Sequence, residues 1–130
     1  MAHRPIRREH RATRRALRAT LRRRAAETRL VSSCRRRPRS ITTVAIAAGI
    51  DRDTASGCAN GLRSVAKRLG VTPALTARTR RTACGGRARQ THTVHRYTLR
   101  QVARLVANYR PRKAEYVTAA ARIAAFAAAA

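Results

Sequence analysis

Acidic residues are almost missing. The 130-residue chain holds 5 Asp and Glu against 31 Lys and Arg, a formal charge of +26. Folding alone does not need this excess, because self-repulsion opposes the compact state. A polyanionic partner removes the repulsion. The composition therefore points to nucleic acid. The same scarcity argues against an enzyme of the nuclease kind, which holds divalent metals on clustered carboxylates. His92 and His95 have no nucleophile or acidic orienter near them in sequence. No catalytic residue is expected.

Large side chains are also scarce: one Phe, three Tyr and no Trp. The hydrophobic fraction of 44% leans on alanine. At roughly 25 cal/mol per Å² of apolar surface buried, an alanine-rich core gives modest stability. Tyr97, Tyr109 and Tyr116 offer little surface for stacking splayed bases. Cysteines are few and odd in number: Cys34, Cys58 and Cys84. That excludes a closed disulfide framework. Cys84, His92 and His95 lack the paired spacing of a structural zinc site. The "HTVH" spacing also sets its two rings on opposite faces of a strand. Neither metal nor cofactor is expected.

No run of 18 apolar residues is present, so no membrane span is expected. The first residues are basic but lack the apolar stretch of a secretory leader. Being Arg-rich and nearly acid-free, they superficially resemble an organelle transit peptide, an alternative to a basic arm. The expected location is the cytoplasm, associated with the nucleoid.

What is present is arginine, 29 of the 31 basic residues. Its rigid fork suits phosphates and guanine edges. Genomic GC bias raises Arg and Ala together, but it does not remove acids. Residues 1–40 hold 15 Arg against Glu9 and Glu27. Residues 41–130 hold 16 basic residues against Asp51, Asp53 and Glu115, so each part carries +13.

The chain divides into three segments: an Arg-rich N-terminal arm and helix (1–40), a central domain (41–109) and an alanine-rich C-terminal helix (110–130). Pro5 breaks the pattern early, so residues 1–7 read as an arm, 8–30 as a helix and 31–40 as a basic link. Ser40 or Thr42 is placed to cap a short helix that ends at Gly49. Residues 52–60 give a second helix, with Gly57 and Gly61 weakening any longer one. Leu62, Val65, Ala66 and Leu69 recur at helical spacing before Gly70. Residues 78–97 carry a Gly-Gly turn signal and a Thr/Val/Tyr-rich return, as a hairpin would. Thr98 and Gln101 form a capping box. Leu99, Val102, Leu105, Val106 and Tyr109 make the stripe of the next helix, and Pro111 stops it.

The stretch "VAIAAGIDRDTAS" (44–56) carries the functional signal. Ala45 is small where a second helix would cross. Gly49 tolerates the positive φ of a tight turn. Val44, Ala48 and Ile50 are apolar, and Asp51 to Ser56 are mostly polar. The run resembles the helix-turn-helix of bacterial transcription regulators, with Ala55 where that pattern has Val or Ile. "SVAKRLGVTPALTAR" (64–78) repeats the skeleton with Val65, Ala66, Leu69, Gly70, Val71 and Thr72. Two readings stay open. Either 44–56 is the reader and the hairpin is a wing, or 64–80 is the reader with "TPALTARTRR" as recognition helix.

The order of helices, hairpin and helix resembles a winged helix-turn-helix regulator of bacterial, phage or plasmid origin. The fold so implied is mainly α, with a small β-hairpin, a basic N-terminal helix and an Ala-rich C-terminal helix. The resemblance implies a double-stranded DNA partner and a role in transcription or replication. Arg52, Asp53, Thr54 and Ser56 would lie near the bases. Arg78, Arg80, Arg81, Arg87, Arg89 and Arg96 would meet phosphates from the wing. The basic arm, with Arg4, Arg7, Arg8, Arg11, Arg14, Arg15, Arg18, Arg22, Arg23 and Arg24, would grip the backbone without reading sequence. A homodimer through the C-terminal helix fits the same scheme. The alternatives are a structural RNA-binding protein, similar to a small basic ribosomal protein, and a non-specific architectural DNA-binding protein.

Overall fold

The computed structural model of the protein describes residues 3–82 and 89–129. They run α1 (His3–Arg36), α2 (Ile41–Ala47), α3 (Arg52–Leu69), β1 (Leu75–Thr82), β2 (Arg89–Arg96), α4 (Leu99–Ala107) and α5 (Ala114–Ala128). The described part is mainly helical, with one small antiparallel sheet.

The first helix departs from the sequence reading. Residues 3–7 are helical, and residues 31–36 continue the helix instead of forming a link. Pro5 is tolerated because the first-turn amides of a helix have no intrahelical acceptor to lose. The C-terminal end is held because it packs on the domain: Cys34 is buried, and Leu30 and Val31 are half-buried. Arg39 then exchanges backbone hydrogen bonds with Tyr97, at 3.1 and 2.9 Å.

Ser40 caps α2, its hydroxyl accepting from the Thr43 amide at 3.3 Å. A turn at Gly49, with φ of 91°, comes next. Asp51 caps α3, its carboxylate accepting from the Thr54 amide at 3.0 Å. That bond, the largest influence on the group, holds the Asp51 carboxyl below its usual range.

The second difference is α3 itself. Residues 52–60 and 62–69 are one continuous helix of 18 residues. Gly57 and Gly61 cost helix propensity, but each gives a ring its seat. A Cβ on Gly57 would lie 2.8 Å from Tyr116 Cζ, and one on Gly61 2.6 Å from Tyr109 Cε2. Ala45, Ala55 and Ala59 are fully buried where α2 and α3 meet. Ala55 is therefore a close-packing residue, not a weak anchor.

Gly70, with φ of 66°, ends α3. Beyond it, residues 75–82 form a strand and not a helix. The reading of "TPALTARTRR" as a recognition helix is overturned. Thr76, Thr79 and Thr82 suit an extended chain, and Pro73 blocks continuation of the helix. β1 pairs with β2 from Leu75↔Arg96 to Thr82↔Arg89.

Thr98 caps α4 in the expected box, with bonds of 3.0 and 3.2 Å to Gln101. The Gln101 amide also donates to the Thr72 carbonyl at 2.7 Å, tying α4 to the end of α3. Ile41, Val44, Leu62, Val102, Leu105 and Ile123 fill the core between α2, α3, α4 and α5. The core is thin in large side chains, as the composition dictates. α5 turns Ala119, Ala120, Ile123 and Ala127 inward, leaving Val117 as its one large exposed apolar side chain.

Candidate nucleic-acid interface

α3 presents two faces of different chemistry. Ala55, Cys58, Ala59, Leu62, Val65 and Ala66 point inward. Arg52, Asp53, Ser56, Asn60, Arg63, Ser64 and Lys67 are exposed. At 100° per residue the latter fall within roughly a third of the helix circumference. The face from Arg52 to Lys67 runs about 22 Å along the axis.

Three of the four base-proximal candidates lie on this face: Arg52, Asp53 and Ser56. Thr54 does not. It is half-buried beside Glu115, Thr118 and Arg122 of α5, so it is a structural neighbour of the turn. Sequence reasoning missed Asn60, Arg63, Ser64 and Lys67. The signal was available in the i, i+4, i+11, i+15 spacing of Arg52, Ser56, Arg63 and Lys67, had the helix been read as continuous. Arg63 is braced in place, donating to Asn60 Oδ1 at 2.7 Å and Thr42 Oγ1 at 3.1 Å. That leaves the Asn60 amide nitrogen free to donate outward.

The hairpin stands away from the helices, with Thr76, Arg78, Thr91, His92, Thr93 and His95 exposed. Its base is anchored by buried Tyr97 and half-buried Val94 and Arg96. Cross-strand register assigns Arg78 and Arg96 to opposite faces of the ribbon, and the side chains of Arg80, Arg81 and Arg89 lie outside the described ones. Arg87 lies outside the described residues.

α1 is nearly all exposed from Ile6 to Arg29. Helical geometry collects Arg7, Arg8, Arg11, Arg14, Arg15, Arg18 and Arg22 on one side, and the side chain of Arg4 lies outside the described ones. Arg23 and Arg24 fall off this ridge. Seven arginine pairs at i, i+3 or i, i+4 lie along it between Arg7 and Arg22. At about 0.2–0.5 kcal/mol each, their repulsion opposes the free helix by roughly 1.5–3.5 kcal/mol. The sole ion pair on α1 among the described residues is Arg23 to Glu27 at 3.9 Å, well exposed on both sides. Such a pair contributes little. A line of phosphates along the ridge turns the repulsion into attraction.

Nothing in the described residues groups three His, Cys, Asp or Glu as a metal site. Burial pushes the Cys34 thiol up, against the pull of Arg39. Burial likewise raises Cys58, against a hydrogen bond with Tyr109. In both, burial favours the protonated thiol. No described helix is long and apolar enough to cross a membrane. Compared with known proteins, the chain matches no family model, no curated protein and no solved structure.

Proposed function

We propose that the protein binds duplex DNA and reads a site through the outer face of α3, as a winged helix-turn-helix regulator of transcription or replication does. The observation that carries this reading is that face: a donor-rich strip on a helix rigidly backed by α2 through the Gly49 turn. The major groove is about 12 Å wide and admits one helix. Arg52 and Lys67 suit guanine O6 and N7, Asn60 suits adenine, and Asp53 suits the cytosine amino group. The hairpin after α3, anchored through Tyr97 to Arg39, supports the role of a wing, with Arg78 exposed for phosphate contact. The α1 ridge adds sequence-independent affinity.

Structured RNA is the second reading, favoured by the long arginine ridge. Selection from random duplex and random RNA pools separates the two. A single duplex motif should emerge, and R52A or N60A should cost about 1–3 kcal/mol of preference for it. Enrichment of folded RNA, or of no motif, contradicts the proposal.

A further inference from the structure

The side of α1 away from the arginine ridge has a separate chemistry. It carries Ile6 and Leu17, which are 50% and 59% exposed. It also carries Glu9 and Glu27, both acids of the first forty residues. Thr13, Leu17, Thr20, Arg24, Glu27 and Val31 have the alternating four-three spacing of a helix-pairing seam. The seam runs into an open groove of about 590 Å³ between α1 and the α2–α3 turn. Leu30, Val31, Ile46 and Ile50 line it, with Glu27 and Asp51 adding carboxylates. Ile46 is itself 37% exposed. An apolar groove with two acids thus sits beside an apolar helix face flanked by arginines.

We infer that two copies of the chain pair through α1, antiparallel, about an axis between Arg24 and Glu27. An antiparallel two-fold puts residues whose numbers sum to 51 opposite each other. Arg24 of each copy then meets Glu27 of the other, twice. Thr20 meets Val31. Leu17 reaches the groove beside Ile46. The surface is self-complementary in charge, as a two-fold interface must be. A parallel pair would instead set Arg24 against Arg24 and Glu27 against Glu27. The two arginine ridges point outward, on opposite sides of the pair. With axes about 8–10 Å apart, the ridges stand roughly 20 Å from each other, about two Debye lengths at physiological salt. The high net charge is therefore no bar to this contact. On α5 the one large exposed apolar side chain is Val117, so α1 offers the longer surface for a dimer. The inference holds whichever polyanion the ridges engage.

Sedimentation equilibrium of the full chain in about 0.3 M salt tests it, where screening weakens general repulsion. The expected mass at high concentration is twice the 14.4 kDa of one chain. Leu17→Glu should weaken the dimer by about tenfold or more, with helix content and melting of the domain unchanged. Arg24→Glu and Glu27→Arg should each weaken it about tenfold, and the double swap should return it to within about threefold of the parent. A chain monomeric throughout leaves this face to some other partner and overturns the inference. So does a dimer insensitive to these changes, or a double swap that fails to rescue.

Discussion

Two glycines that read as weak points are seats for aromatic rings. Replacing Gly by Ala in an exposed helix usually stabilises it by about 0.5–1 kcal/mol. At Gly61 the sign should reverse. The added methyl meets the Tyr109 ring, and overpacking costs about 1–3 kcal/mol. Gly57→Ala should be milder, because half-buried Tyr116 can swing its hydroxyl end outward. Chemical denaturation of Gly61→Ala, with and without Tyr109→Ala, checks this: the substitution should destabilise the parent and stabilise the tyrosine-free background. The same ring lies by Cys58. Burial raises that thiol, and burial first, then the thiol's presence, raises the Tyr109 hydroxyl. A raised folded value favours the protonated form. The stability it lends is present below the ordinary thiol range and is lost as pH rises from there towards the folded value. Melting temperature should thus fall on going from neutral pH to about 10, and Cys58→Ser should fall less steeply. An identical slope in the variant would contradict the assignment.

At the scale of elements, the boundaries of α3 were the least legible part. The turn at Gly49, the caps of α2 and α4 and the start of α4 arise from local chemistry, so sequence sufficed. Whether α3 stops at Asn60 or runs to Leu69 depends on two tyrosines 48 and 59 residues away (Tyr109 from Gly61, Tyr116 from Gly57). No local pattern carries that, and so Asn60, Arg63, Ser64 and Lys67 were missed. The twin skeleton at 64–78 misled because Val65, Ala66 and Leu69 share helical spacing with a true first helix. The chain beyond Gly70 is rich in Thr and becomes strand. Thr54 was misplaced by proximity in sequence to Arg52 and Ser56, although its side of the helix packs towards α5. In α1 the ridge was visible as composition, and only the unbroken helix turned it into a line. If that line lies along phosphates, Arg11→Gln, Arg15→Gln and Arg18→Gln together should reduce the slope of log affinity against log salt by about three on duplex DNA. Preference among sequences should stay unchanged. An unaltered slope would place the ridge away from the nucleic acid.

For the whole molecule, charge and shape point the same way. A +26 chain with a thin core gains from a partner that neutralises its arginines. The arginines nonetheless divide into a ridge on α1, a hairpin and a sparser, mixed strip on α3. That division argues for a molecule that grips in one place and reads in another, not a uniformly sticky one. The most direct test is competition at about 0.15 M salt, by fluorescence anisotropy, between the duplex selected by this protein and random duplex of equal length. The account predicts a preference of about a thousandfold or more for the selected duplex, falling by about tenfold in Asn60→Ala, which leaves the α1 ridge intact. Equal affinity for both duplexes, in the parent and the variant alike, would contradict it.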